Sequence, residues 1–145
     1  MRIGLAYNVK PAAHPCHLPV DAFEEFDSEA TIGNLCDALV SLGHEVIRLG
    51  AGPGIIDALR DTRPDIVFNI AEGEGGRCRE AHVPALLEIL DIPYLGSDPL
   101  TLCITLDKPV AKRLVSSEGF PTPRFRTFRS DAGMGDLGLS YPVIV

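Results

Sequence analysis

Four short apolar runs alternate with amphipathic stretches over the first 95 or so residues, and this alternation leaves the chain very few folds. The runs cover residues 3–7, 45–49, 65–70 and 92–95. Each has the length and bounding turn residues of a strand. Between the first two, Ile32, Leu35, Cys36, Leu39 and Val40 recur at i, i+3, i+4, i+7 and i+8, which is one apolar stripe of a helix over 31–42. Asp27 and Ser28 are its N-cap candidates and Gly43 its stop. A short helix follows around 55–60, and another over about 81–90, where Pro84 is tolerated only because it lies in the first turn. A β-α-β-α-β-α-β order demands parallel strands with right-handed crossovers, because parallel neighbours cannot be joined by a tight turn. The expected class is α/β: an open, mostly parallel, Rossmann-like sheet flanked by helices.

Beyond Gly96-Ser97-Asp98-Pro99 the helical pattern resumes, runs through 106–115, stops at Gly119 and meets Pro121 and Pro123, which mark a linker. Tyr141-Pro142-Val143-Ile144-Val145 then opens a new strand that no later residue pairs. The expected organisation is an α/β domain over 1–97, a helical connection and linker over 98–123, and the incomplete start of a second domain over 124–145. A chain of 145 residues can bury one good core with a stub left over. No apolar stretch approaches the roughly 20 residues of a membrane span, and the amino terminus reads as a strand and not as a signal peptide. No membrane partner and a cytoplasmic location are expected. The four cysteines, Cys16, Cys36, Cys78 and Cys103, are 20, 42 and 25 residues apart. That spacing contains no C-x-x-C pair and predicts free thiols. His14, Cys16 and His17 cluster but lack a fourth ligand at a suitable spacing, so no metal site is expected.

The net charge of −7 is unevenly spread, with −10 over residues 1–107 and a local excess of five positive charges over 108–129. Lys108, Lys112, Arg113, Arg124, Arg126 and Arg129 stand there against Glu118 alone. Two readings are open: a surface for a small polyanion such as a nucleoside triphosphate, or a solvated helix face and tail. Nucleic acid is disfavoured, since the acidic bulk repels a long phosphate backbone and no aromatic platform accompanies the basic residues.

Open parallel sheets collect ligands beyond the carboxyl ends of their strands. After the first strand the chain reads Tyr7-Asn8-Val9-Lys10-Pro11, not the G-x-G-x-x-G of a dinucleotide site. After the third comes Glu72-Gly73-Glu74-Gly75-Gly76-Arg77. Its glycines allow close backbone approach, but its carboxylates oppose a phosphate and favour a cation. An amino-acid ammonium would use Glu72 together with the acidic entry Asp27-Ser28-Glu29 on the same sheet edge. A solvated turn with a helix cap is the alternative. At the start of the following helix, Glu80 suits the dipole but Arg79 does not, so Arg79 is expected to pair with a ligand or with Glu72. Lys108, just after Asp107, also opens a helix against its dipole and is the candidate phosphate ligand.

Four segments carry a family resemblance: Phe68-Asn69-Ile70-Ala71-Glu72-Gly73; Arg79-Glu80-Ala81-His82-Val83-Pro84-Ala85-Leu86-Leu87-Glu88; Ile92-Pro93-Tyr94-Leu95-Gly96-Ser97; and Leu106-Asp107-Lys108, followed by Gly119-Phe120-Pro121-Thr122-Pro123. Over about residues 65–145 the chain resembles D-alanine–D-alanine ligase and its close relatives, in the ATP-grasp superfamily. The resemblance implies a pre-ATP-grasp domain that places an acidic residue, Asp27 or its rival Glu29, near the ammonium of the first amino acid. It implies Lys108 as an ATP contact. Two features depart from the family pattern: residues 8–19 replace a glycine-rich turn, and Glu72-Gly73 replaces a His-Gly pair. The amino acid that is ligated is therefore left undetermined. The implied complete enzyme uses ATP and Mg2+, forms an acyl phosphate and then an amide, acts on small amino acids and pairs as a homodimer through its amino-terminal domain. Neither the ATP nor the Mg2+ site is complete within 145 residues, so the expectation is an inactive fragment. The alternative is a free-standing amino-acid binding module without catalysis.

Overall fold

A computed structural model describes residues 1–128, 130 and 138. The strand expected over 141–145 lies outside the described residues. The chain divides into two units, Met1–Leu106 and Asp107–Val145.

The first unit is built on four strands, β1 (Arg2–Tyr7), β2 (Glu45–Arg48), β3 (Ile66–Ile70) and β4 (Tyr94–Leu95). They form one parallel sheet in the order β2-β1-β3-β4. Register sets Ile3 beside Val46 and Ile66, and Val67 beside Tyr94. Helices α1 (Glu29–Ser41), α2 (Ile55–Thr62) and α3 (His82–Ile89) supply the connections, with a 3-10 turn, Arg79–Ala81, ahead of α3, and α4 (Pro99–Leu106) follows β4. The alternation read from the sequence is thus an α/β fold with every strand parallel.

Its core gathers Ala6 of β1, Val67 of β3, Ile55 and Leu59 of α2, and Val83 and Leu87 of α3, with Ala71 just beyond β3. Leu5, Ile32, Leu59, Val67 and Leu87 are fully enclosed. Gly4 admits no larger residue without adjustment, since a Cβ there would come within 2.6 Å of the Leu49 side chain. Of the stripe expected on α1, Ile32 is buried and Leu35, Cys36 and Leu39 are half-buried, but Val40 is 56% exposed.

Local chemistry sets the helix ends. Ser28, not Asp27, caps α1: the Thr31 N–H donates to Ser28 Oγ at 3.0 Å. Asp27 lies one residue too early for this role and its backbone pairs with residues 8–10 instead. At the other end, Gly43 (φ +82) lets its own N–H reach Val40 O and the His44 N–H reach Leu39 O, a Schellman arrangement that a left-handed glycine permits. The helical pattern read beyond residue 99 is two helices, the second opening at Lys108, the helix start that Asp107-Lys108 was expected to make. Asp107 leaves helical geometry (ψ 87°) and its carboxylate accepts the Val110 N–H at 3.0 Å, starting α5 (Lys108–Ser117) with Pro109 in its first turn.

In the second unit, α5 closes at Gly119 (φ +80), and residues 120–128 form neither helix nor strand. Lys112 donates to Thr122 Oγ1 at 3.0 Å and lies over the Phe125 ring, holding this segment against the helix.

Candidate functional site

From β1 the chain crosses one way to β2, then returns past β1 to β3. The carboxyl ends of β1 and β3 therefore flank a topological switch point, where connections diverge and leave a crevice. Asn8 and the segment after Ala71 meet there. Asn8 is 5% exposed, and its Oδ1 accepts the N–H groups of Glu72 at 3.0 Å and Gly73 at 2.9 Å. Both N–H groups would otherwise end the strand unpaired, which a buried backbone does not tolerate. One amide side chain just beyond β1 thus latches the glycine-rich loop that follows β3.

Gly73 is required at its position. Its φ is +73, and a Cβ would stand 2.5 Å from the Arg79 carbonyl oxygen. The tight return lets the loop fold back on the 3-10 turn and brings Arg79 and Glu80 beside Glu72. The Glu72 carboxyl is held above its ordinary range, first by partial burial, then by the charges of Glu80 and Glu25, with Arg79 opposing and Asp27 adding a smaller push. Such a group is short of positive charge and would be relieved by a cationic ligand.

The segment over 9–27 closes the site from the β1 side. Val9 and Asp27 form an isolated parallel bridge; the Lys10 N–H donates to Asp27 O at 2.8 Å and the Asp27 N–H to Asn8 O at 3.1 Å. Glu25 is carried in with it and pairs with Arg79. Arg79 also lies 3.9 Å from Glu80. Its ion pairs among the described residues are with Glu25 and Glu80 and not with Glu72, one of the two partners expected for it beside a ligand; its effect on Glu72 is a longer-range one.

Asp27 and Glu29 part company. Asp27 sits where its charge reaches Glu72. Glu29, two residues on, opens α1 and pairs with Arg48 of β2, whose Nε donates to the Tyr7 hydroxyl at 3.1 Å and whose guanidinium lies over the Tyr7 ring. Arg48 is held above its ordinary value, chiefly by Glu29 and then by Tyr7. So the structure groups Glu72, Arg79 and Asp27, with Glu25 and Glu80, and leaves Glu29 in a separate cluster on the β2 side. Lys108 is the exposed first residue of α5 in the second unit. His14, near the expected non-site cysteine, is occupied by the carbonyls of Pro15 and Pro19 at 3.0 and 2.9 Å from its ring nitrogens.

Sequence reasoning missed Asn8 and Glu25. Asn8 could have been found, as a polar amide directly after an all-apolar strand at the edge where ligands collect. Glu25 could not, because its approach depends on the path of a loop without period.

No family model matches the chain. It is 38% identical over 125 residues to an uncharacterized protein, y4sG, of Sinorhizobium fredii, a match covering 78% of this chain and 37% of that protein. It is 41% identical over 88 residues to the D-alanine–D-alanine ligase of Moorella thermoacetica, covering 61% and 28%. With the D-alanine–D-alanine ligase of Aquifex aeolicus the identity is 43% over 94 residues, covering 65% and 32%. The chain spans about a third of the length of these curated relatives. Among solved structures, a D-alanine–D-alanine ligase of Bacillus anthracis complexed with ATP superposes with a TM-score of 0.64 at 23% identity, covering 95% of this chain and 44% of that one. That likeness establishes the shared fold. The parallel β2-β1-β3-β4 sheet and its helices thus make an α/β domain whose fold that ligase shares. Across this region the chain is a relative of the D-alanine–D-alanine ligase family.

Proposed function

We propose that the chain is the amino-terminal part of an ATP-dependent carboxylate–amine ligase, and that its switch-point crevice holds the ammonium group of an amino-acid substrate. The observation that carries this reading is Glu72, half-buried, presented by a latched loop and held above its ordinary range by burial and then by the neighbouring carboxylates of Glu80 and Glu25. An ammonium placed there would supply a positive charge and gain charge-assisted hydrogen bonds. Asp27 would assist. Arg79, already paired with Glu25 and Glu80, would set the position of those carboxylates or, in exchanging a partner, meet a substrate carboxylate.

In the proposed reaction, a carboxylate oxygen takes the terminal phosphoryl group of ATP, giving an acyl phosphate and ADP. The amine of a second molecule then attacks the acyl carbon, loses a proton and displaces phosphate. This chain's part is to bind and orient the amino acid. Lys108 is the one residue here proposed to contact ATP phosphate. The described residues do not fit a Mg2+ site: no three His, Cys, Asp or Glu side chains converge as ligands among them. No step is therefore assigned to a metal held by this chain. Cytoplasmic location and homodimer formation through the Met1–Leu106 unit belong to the same proposal. Among the described residues, no helix is long and apolar enough to cross a membrane.

The test is calorimetric titration of small amino acids into wild type and Glu72→Gln, in protein that carries this chain with its ATP-binding domains. The variant keeps shape and one acceptor but loses the charge, so affinity should fall about tenfold or more. Wild-type affinity in Glu72→Gln would end the ammonium assignment. Amino-acid binding without any ATP-dependent phosphate release would mark a binding module in place of a ligase.

A further inference from the structure

A cavity lies at the end of the sheet opposite the switch-point crevice. Helices α2 and α3 both finish there, just ahead of β3 and β4. The residues at their ends line a cavity of about 370 Å³, formed by Leu59, Arg60, Arg63, Pro64, Leu90 and Ile92, a size that admits a small molecule. Leu59 and Pro64 are buried, Leu90 and Ile92 half-buried, and Arg60 and Arg63 exposed, so the floor is apolar and the rim cationic. Arg63 stands in a left-handed conformation (φ 43°) and closes α2, its N–H donating to Leu59 O at 3.0 Å. A glycine would take that position without strain. Here the position carries a guanidinium that has no hydrogen-bond or ion-pair partner among the described residues. Arg60 has Asp57 alone among them, at 4.0 Å and with both side chains largely exposed. Asp61, Asp65 and Asp91 are close in sequence, but none of them lines the cavity.

We propose that this cavity binds a small monocarboxylate with an apolar body, its carboxylate on Arg63 and Arg60 and its hydrocarbon part against Leu59, Pro64, Leu90 and Ile92. The two halves of such a ligand match the two parts of the cavity. Laying a hydrocarbon chain on the floor is favourable in proportion to the apolar area removed from water, and a planar guanidinium meets a carboxylate with two parallel N–H donors. A bare hydrocarbon would leave the Arg63 charge unanswered, and an ammonium would be repelled by it. The helix ends choose between anions. Helices α2 and α3 both present their carboxyl-terminal carbonyls at this end of the sheet, and that partial negative charge opposes a dianionic phosphate more than a singly charged carboxylate. Cations at helix ends also offset the same partial charge. That role is already filled by Arg60 in the last turn of α2 and does not call for a left-handed arginine one turn on.

The proposal does not depend on the ligase reading and is tested without amino acid or ATP. Hexanoate is titrated into the full chain at neutral pH while the methyl groups of Leu59, Leu90 and Ile92 are followed by NMR. Saturable shifts of these methyls are expected, and affinity should tighten about fourfold for each methylene added from butanoate to hexanoate. Hexylamine should leave the methyls unmoved, and hexyl phosphate should bind more weakly than hexanoate. Arg63→Gly removes the guanidinium and supplies the residue that the left-handed turn favours. It should therefore melt no lower than wild type, yet bind hexanoate about tenfold or more weakly. Arg60→Gln should weaken hexanoate as well. No saturable shift with hexanoate, equal shifts with hexylamine, or wild-type hexanoate affinity in Arg63→Gly would overturn the site. Tighter binding of hexyl phosphate than of hexanoate would overturn the choice of a carboxylate.

Discussion

Asn8 and Gly73 are what make Glu72 a presented group and not a strand end. Replacing Asn8 by Ala removes one acceptor and leaves two N–H groups, of Glu72 and Gly73, without it. The expected cost is about 1–3 kcal/mol, read as a lower melting temperature, with faster hydrogen exchange at those two amides. Wild-type protection of both would mean that the loop holds its own shape. Gly73→Ala meets both a left-handed φ and the Arg79 carbonyl and should cost about 1–3 kcal/mol or more. Gly75→Ala, in open space, should be nearly neutral. Equal effects of the two alanines on thermal unfolding would contradict the assigned loop path.

Glu72 itself gives a pH prediction with a definite sign. Its carboxyl is raised in the folded state, so folding favours its protonated form. The stability associated with that proton is fully present below the unfolded value, about 4.3, and is lost as pH rises through the higher folded value. Glu72→Gln mimics the neutral form. Its melting temperature should therefore equal or exceed that of wild type at neutral pH, and the difference should vanish below about pH 4. A variant less stable than wild type at pH 7 would instead identify Glu72 as a brace for the loop.

At the scale of elements, α1 separates two roles that the sequence left together. Asp27-Ser28-Glu29 is one acidic entry on paper, yet Ser28 alone caps the helix, Asp27 pairs by backbone with residues 8–10, and Glu29 goes to Arg48. Ser28→Ala should cost about 1 kcal/mol through the lost cap, whereas Asp27→Asn should leave helix stability unchanged. Circular dichroism melts of the two variants decide this, and a larger loss for Asp27→Asn would return the cap to Asp27. The break at Asp107 works in the same way: a side chain that can accept the Val110 N–H ends one helix and starts the next. A periodic apolar pattern passes over such a break, because the period measures burial and the cap is a local hydrogen bond.

For the molecule as a whole, each unit has its own proposed contact, Glu72 in the first and Lys108 in the second. In protein that carries the ATP-binding domains, Lys108→Ala should raise the KM for ATP about tenfold or more, reflecting a charge-assisted contact of about 1.5–3 kcal/mol. The KM for the amino acid should change less. An unchanged KM for ATP would make Lys108 a surface residue. The 145-residue chain by itself should release no phosphate in response to amino acids and ATP, and detectable release would overturn its reading as one part of the enzyme.

The sequence by itself determined the order and type of the elements and the parallel sheet, because strand and helix periods are written in local apolar spacing and parallel strands need long crossovers. It also directed attention to the loop after β3, since open parallel sheets collect ligands beyond the carboxyl ends of their strands. Tertiary structure decided the partners. That Asn8 binds a loop 64 residues away and that Arg79 takes Glu25 before Glu72 depend on side chains brought together from distant segments. Nothing in their spacing encodes this, because the path of a loop is set by what it packs against and not by a repeat within it.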